Sequence, residues 1–165
     1  MMKSFFVKED FLSDAECAAC INYYEAFKDD TFQYKWNDSR PLKLVGHEEH
    51  FVDITHRVAN LIATLDPTGK MWISNHEIVK WSPGSKMAPH YDLSYDKWSA
   101  ILYLNDDFFG GRTFFSNGIE LKPKMGSIVI FNGTYFKHGV TEVLNGERYT
   151  MAYWVRYNES TDDAE

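Results

Sequence analysis

The chain has 165 residues, a formal net charge of −7 and an aromatic content of 16%. Its length fits one compact domain, and its acidity argues against a nucleic-acid-binding groove, which needs a basic face. The many aromatic residues favour strands, so the sequence predicts a β-rich core.

The sequence lacks the patterns typical of membrane and secreted proteins. Apolar stretches fall short of the roughly 18 residues that a membrane span needs, and Lys8, Glu9 and Asp10 interrupt the apolar start before a signal peptide forms. The two cysteines, Cys17 and Cys20, lack the second ligand pair of a zinc site and the βαβ context of a redox motif. We therefore expect a cytoplasmic chain without a membrane partner, and two core thiols on one helix face.

The first 70 residues predict two helices. Ser13 and Glu16 have the spacing of a capping box, which predicts a helix over 14–27 after a short strand over 4–7. Residues 29–49 then lose periodicity, which indicates a long loop or a strand pair with a mobile tip. A second helix is indicated by an apolar stripe of 3.6-residue period, formed by Phe51, Ile54, Val58, Leu61, Ile62 and Leu65.

From residue 71 onward the pattern changes to short strands separated by turn dipeptides such as Asn132-Gly133. The predicted strands are 72–81, 98–105, 112–116, 125–131, 138–143 and 147–157. Helices followed by a run of strands predict an α+β, mainly β fold, with the helices outside a sandwich or barrel. We expect one domain over 1–165, with helical support and a lid loop in 1–70 and the β core in 71–157.

One polar pattern has the spacing of a metal site. His90-Tyr91-Asp92 places an imidazole and a carboxylate on the same side of an extended chain. With His138 they would form a two-histidine, one-carboxylate set, which leaves coordination positions on iron open for a co-substrate and O₂. The His-x-acid spacing alone is weak, because His47-Glu48-Glu49 also matches it and is interpreted as a solvated loop.

Two further side chains are predicted to point into the barrel. Alternation along 148–154 places Arg148 on the inner face, where a guanidinium is costly unless it meets an anion such as a carboxylate. The alternative is a surface position paired with Glu142 or Glu147. Tyr103 is also predicted to be buried, with its hydroxyl on a bound carboxylate or, alternatively, on a water within the packed core.

The stretch from Trp81 to Trp154 resembles the catalytic core of the Fe(II)/2-oxoglutarate oxygenases, and most of all the prolyl 4-hydroxylases of bacterial and viral type. Order, spacing and residues all match. The matching segments are Pro89-His90-Tyr91-Asp92, Ile101-Leu102-Tyr103-Leu104-Asn105, Gly110-Gly111-Arg112-Thr113-Phe114-Phe115, Gly126-Ser127-Ile128-Val129-Ile130-Phe131, His138-Gly139-Val140 and Gly146-Glu147-Arg148-Tyr149.

The resemblance implies a double-stranded β-helix, or jelly roll, with the N-terminal helices packed on one sheet. It also implies Fe(II) on His90, Asp92 and His138, and 2-oxoglutarate and O₂ as co-substrates, with ascorbate as a reductant. Arg148 and Tyr103 would bind the distal carboxylate of 2-oxoglutarate, and Trp154 would close the site near Arg148. The remaining co-substrate pocket is expected to comprise Ile101, Thr113, Val140 and Thr150.

The activity that the resemblance implies is hydroxylation of a prolyl residue in a peptide or protein, with release of succinate and CO₂. Two alternatives remain open: the same chemistry on a free amino acid or another small molecule, and a cupin-like module that binds metal without turnover. The aromatic segment 29–50 favours a peptide, and we expect it to border the iron site and to order on binding. Its alternative is a β-hairpin packed on the core edge. No nucleic-acid partner is expected, and the oligomeric state is open.

Overall fold

A computed structural model describes residues 5–67 and 69–157. Two helices precede most of the strands, and short 3₁₀ helices lie at Lys28–Asp30 and Glu48–His50. The elements are β1 (Phe5–Lys8), α1 (Asp14–Ala26), β2 (Arg40–Lys43), α2 (Val52–Leu65), β3 (Met71–Trp81), β4 (Met87–His90), β5 (Trp98–Tyr103), β6 (Phe109–Gly110), β7 (Thr113–Phe115), β8 (Glu120–Leu121), β9 (Ile128–Phe131), β10 (His138–Val140), β11 (Val143–Asn145) and β12 (Arg148–Tyr157).

The strands form antiparallel sheets that enclose a jelly-roll core. The larger sheet has the order β1-β9-β5-β12-β3-β2, the smaller one β4-β10-β7-β8, and β11 pairs with β6. Phe115 of the smaller sheet packs against Phe131 of the larger sheet, with ring centroids 4.9 Å apart. The predicted α+β, mainly β jelly roll is therefore confirmed.

Both helices cover the outer face of the larger sheet. Along β12, Tyr149 contacts Tyr24 of α1, and the Tyr153 hydroxyl lies 3.1 Å from Thr55 of α2. Two further outward residues of this strand, Met151 and Val155, belong to the same buried cluster. Alternation thus turns the other face of β12, which begins with Arg148, toward the interior of the jelly roll.

The predicted cap of α1 is present, and its two cysteines are buried. The Ser13 hydroxyl accepts a hydrogen bond from the Glu16 amide at 3.1 Å, and the Glu16 carboxylate accepts one from the Ser13 amide at 2.8 Å. Burial raises the pKa of Cys17 to about 11 and that of Cys20 to about 12. Among the described residues, no helix is long and apolar enough to cross a membrane.

Several strands differ from the sequence-based prediction. The predicted strand 138–143 is two strands, β10 and β11, because the chain leaves the smaller sheet after Val140 to pair with β6. β2 is an edge strand that contains Pro41 and pairs with β3, so the aperiodic segment 29–49 contributes one strand to the larger sheet and does not form a strand pair of its own. Ser4, the predicted first residue of the first strand, lies outside the described residues.

Candidate active site

Strand pairing brings His90, Asp92 and His138 together. His90 ends β4 and His138 begins β10, and the two residues face each other across the antiparallel pair. Asp92 follows His90, and its Oδ1 lies 3.5 Å from His138 Nε2 and 3.7 Å from His90 Nε2. One potential ligand atom of each side chain lies within 4.8 Å of the others, which is close enough for all three to bind one metal ion.

Hydrogen bonds on the far side of each side chain orient this cluster. His90 Nδ1 lies 3.1 Å from the Ala88 carbonyl and His138 Nδ1 lies 3.0 Å from the Phe136 carbonyl, so each Nδ1–H donates to the backbone. This tautomer leaves both Nε2 lone pairs directed at the shared centre, as metal-binding histidines require. The Ser99 hydroxyl donates to Asp92 Oδ2 and thereby leaves Oδ1 facing the imidazoles.

The protonation states also fit a divalent metal. Burial lowers the pKa of His90, and the neighbouring His138 lowers it further, so His90 is neutral at pH 7. Burial alone would raise the pKa of Asp92, but the interactions of its carboxylate with His138 and Ser99 outweigh burial, and the pKa is lowered. A neutral imidazole and an ionised carboxylate are the forms in which His90 and Asp92 coordinate a metal.

Two glycines allow close packing around the metal cluster. A Cβ at Gly133 would overlap the Asp92 carboxylate, and the Gly133 carbonyl accepts a hydrogen bond from the Asp92 amide at 2.9 Å. A Cβ at Gly139, next to His138, would lie 2.5 Å from the Met87 carbonyl oxygen. In the sequence, Asn132-Gly133 indicates only a turn, and Gly139 is only a small residue after His138. Neither pattern predicts the close packing against the metal cluster.

At the other end of the same cavity lies a buried guanidinium. Arg148 is 1% exposed, donates from Nε to the Gly111 carbonyl at 2.9 Å, and lies over the Trp81 ring at 5.1 Å. Burial lowers the pKa of Arg148 to about 10, so the group is still charged at neutral pH. Within residues 5–67 and 69–157 no carboxylate forms an ion pair with it, and Glu147 instead accepts a hydrogen bond from Ser82.

The cavity between these two ends has a volume of about 370 Å³. Its wall includes most of the predicted pocket residues, namely Ile101, Thr113, Val140, Arg148, Thr150 and Trp154. The inner face of β12 therefore runs from the guanidinium to the metal cluster.

Two predicted residues, Trp154 and Tyr103, contact neighbours that the sequence did not indicate. Trp154 does not lie near Arg148, because six residues of extended chain separate them along β12. It pairs instead with Ser99, the residue that contacts Asp92. Tyr103 is buried beside Arg148, whose guanidinium lies 5.6 Å from the Tyr103 ring centroid, and its hydroxyl is 2.6 Å from Thr113 Oγ1; its contact with 2-oxoglutarate stays a prediction.

A sequence profile of the 2OG-Fe(II) oxygenase superfamily matches residues 71–156, which contain the cluster, the guanidinium and the cavity between them. The chain belongs to this superfamily. Membership implies Fe(II) as the metal and 2-oxoglutarate and O₂ as co-substrates, which are those of the family.

Relatives of this chain include prolyl hydroxylases. Prolyl 3-hydroxylase 3 of Homo sapiens and of Mus musculus is 34% identical over 117 residues, which are 66% of this chain but 14% of the relative. The viral collagen prolyl hydroxylase of Paramecium Bursaria Chlorella virus-1 has a TM-score of 0.79 at 20% identity, covering 95% of this chain and 97% of that one. A Trichoplax adhaerens prolyl hydroxylase in complex with a hypoxia inducible factor peptide fragment has a TM-score of 0.76 at 16% identity, covering 93% and 84%.

Proposed function

We propose that this oxygenase hydroxylates a prolyl residue in a peptide or protein, and that succinate and CO₂ are released. His90, Asp92 and His138 would hold Fe(II), which when bound supplies the O₂ chemistry that no side chain can perform. Arg148 would bind the distal carboxylate of 2-oxoglutarate, and ascorbate would keep the iron reduced. The observation that carries the prolyl substrate is an exposed indole at the mouth of the cavity, against a metal-site histidine.

The chemistry of the metal cluster supports Fe(II). Two imidazoles and one carboxylate, all on one side, leave positions open for a bidentate co-substrate and O₂. The backbone hydrogen bonds hold Nδ1 of both histidines, and the Ser99 hydrogen bond holds Oδ2 of Asp92. These bonds fix the ligands before any metal binds and leave both Nε2 atoms and Asp92 Oδ1 for coordination.

The chemistry of Arg148 supports a dicarboxylate. A charged guanidinium in an otherwise closed wall is stabilised when an anion enters, and its planar donors match a carboxylate. Its Nη2 lies 3.3 Å from Thr113 Oγ1, so the Thr113 hydroxyl, supported by Tyr103, is positioned beside the same carboxylate.

The indole belongs to Trp36, at the tip of a tight loop over 34–39 (the Trp36 loop). Tyr34 and Ser39 close this loop, with the Tyr34 amide donating to the Ser39 carbonyl at 2.9 Å. Trp36 is 56% exposed, and its ring centroid lies 5.4 Å from that of His90. An exposed aromatic face beside the metal offers flat, rigid area that suits a proline ring.

A partly buried ion pair supports the base of the Trp36 loop. Lys43 Nζ lies 2.6 Å from the Glu77 carboxylate, which also accepts a hydrogen bond from the Tyr34 hydroxyl at 3.3 Å. Burial raises the pKa of Glu77, and the Lys43 ammonium opposes that rise. The Trp36 loop thus has a base that packs on the core edge and an exposed tip at the cavity, and the role of that tip as a lid is part of this proposal.

The relatives support the same substrate class. A prolyl 3-hydroxylase is 34% identical to this chain over 117 residues. One structurally similar prolyl hydroxylase was solved in complex with a peptide fragment. The test is a peptide-library screen with Fe(II), ascorbate and 2-oxoglutarate, read by the mass gain of one oxygen. Hydrolysis of the product and chromatography against 3- and 4-hydroxyproline standards then distinguish hydroxylation at C3 from that at C4.

Trp36→Ala tests the role of the loop tip. We expect it to lower turnover of the peptide that the screen identifies, while the melting temperature and the uncoupled decarboxylation of 2-oxoglutarate stay near wild type. The matched control is Phe109→Ala, which removes another exposed ring, 71% exposed and away from the cavity wall. Turnover that is stimulated by free amino acids or other small molecules, and by no peptide, would favour the small-molecule alternative.

A further inference from the structure

A β-bulge reverses the two faces of β3 at its N-terminal end. Trp154 pairs with Asn75 but Val155 pairs with Ile73, so Ser74 is an extra residue without a partner on β12. The insertion of one residue exchanges the faces of all residues beyond it. Ile73 therefore packs with the helices, whereas Trp72 lies opposite Arg156 on the cavity side.

The bulge creates a ladder of three flat groups. The Arg156 guanidinium lies 3.8 Å from the centroid of the Tyr95 ring and 5.6 Å from that of Trp72. The Asp96 carboxylate holds it in place, with Arg156 Nε at 2.7 Å, and also accepts a hydrogen bond from the Ser74 hydroxyl at 3.1 Å. Bulge and ladder thus form one connected unit.

This ladder is exposed and continuous with the active-site cavity. Tyr95 is 52% exposed and Trp72 is 46% exposed, although each offers a large apolar ring. Arg156 and Asp96 line the cavity themselves, so the ladder extends the wall of the metal site outward to the surface. Exposed aromatic groups at the rim of a cavity are typical of binding surfaces.

We propose that the Trp72–Arg156–Tyr95 ladder is a docking subsite for a proline-rich segment of the peptide substrate, at a distance from the proline that is hydroxylated. Proline-rich segments in polyproline II conformation bind grooves lined by aromatic rings, because the segment loses little entropy and its pyrrolidine rings pack flat. This inference rests on the proposed prolyl hydroxylation.

The strand geometry indicates how long the substrate must be. Trp154 pairs with Ser99, which contacts Asp92, and Arg156 lies two residues further along β12. Two strand residues span roughly 6.8 Å, which a polyproline II chain covers with about two residues at roughly 3.1 Å each. A peptide with no residues beyond its target proline should therefore miss the ladder, and one extended by four residues should reach it.

The first experiment measures binding without turnover. Acetylated, amidated oligoprolines of four and ten residues are titrated calorimetrically into the protein with Mn(II) and 2-oxoglutarate under anaerobic conditions. We expect Trp72→Ala and Tyr95→Ala each to weaken binding of the ten-residue peptide about tenfold, and Tyr95→Phe to restore it. The Phe109→Ala control should bind like wild type.

The second experiment separates docking from chemistry. The peptide identified by the library screen is made with and without four added prolines on each side. We expect Trp72→Ala to raise the KM of the extended peptide about tenfold with kcat unchanged, and to leave the KM of the short peptide unchanged. An equal rise in KM for both peptides, or a fall in kcat, would show that the ladder only stabilises the cavity wall.

Other outcomes distinguish this inference from the proposed function. If proline peptides are hydroxylated but Trp72→Ala behaves like Phe109→Ala, the ladder is no docking subsite and prolyl hydroxylation stands. If only small molecules are turned over, prolyl hydroxylation fails and the docking subsite with it. If sedimentation shows a dimer that Trp72→Ala dissociates, the ladder is an interface between copies of the chain, which overturns the inference.

Discussion

Replacement of Arg148 by leucine removes the charge that we assign to 2-oxoglutarate while filling much of the same volume. The guanidinium is buried, and the described residues provide it with no carboxylate partner. Loss of a buried charged hydrogen bond costs about 2–5 kcal/mol, so the KM for 2-oxoglutarate should rise by a factor of roughly 30 to several thousand. Initial rates of succinate formation at varied 2-oxoglutarate measure this change.

Two further measurements on Arg148→Leu separate its anion-binding role from a structural one. Affinity for Fe(II) or Mn(II) should stay near wild type, because Arg148 contacts none of the metal-site side chains. The melting temperature of the protein without co-substrate should fall by a few degrees at most, since an unpaired buried charge stabilises little. Arg112→Leu, at an exposed ion pair with Glu120, is the matched control. An unchanged KM, or a collapse of stability together with both affinities, would refute the assignment.

The remaining predictions concern the metal cluster and the core. Ser99→Ala removes the hydrogen bond to Asp92 Oδ2, and calorimetric titration with Mn(II) should show metal affinity reduced about 10- to 100-fold. Gly133→Ala places a Cβ on the same carboxylate, so metal binding should be lost while circular dichroism still reports the native fold; retained metal binding would contradict the close packing. With pKa values of about 11 and 12, Cys17 and Cys20 should resist Ellman's reagent at pH 8 in the native state. The Cys17 thiolate fraction there is on the order of one in a thousand and rises tenfold per pH unit; rapid labelling at pH 8 would show that the thiols are accessible.

Sequence periodicity predicted the parts of the site that depend on alternation within one strand. The inward position of Arg148 and the common side of His90 and Asp92 follow from the two-residue period of extended chain, and the structure has both. The helix stripe and the capping box are equally local, which is why α1 and α2 lie close to their predicted bounds.

Contacts between distant segments were not predictable in this way. Ser99 and Gly133 contact Asp92 only because three separate strands and loops converge, and neither residue has a local signal beyond a polar or turn residue. The position assigned to Trp154 was wrong because the resemblance gave its strand face but not its distance from Arg148. Strict alternation back from Trp81 would also place Ile73 on the cavity side of the sheet, whereas the bulge at Ser74 places Trp72 on that side.

A crystal structure of the protein with Mn(II) and 2-oxoglutarate tests the central claim most directly. We predict one metal ion at roughly 2.0–2.3 Å from His90 Nε2, Asp92 Oδ1 and His138 Nε2. The distal carboxylate of 2-oxoglutarate should lie on the Arg148 guanidinium. A metal ion bound instead at His47, His50, His56 or His76, or a 2-oxoglutarate molecule that does not contact Arg148, would contradict the proposed site.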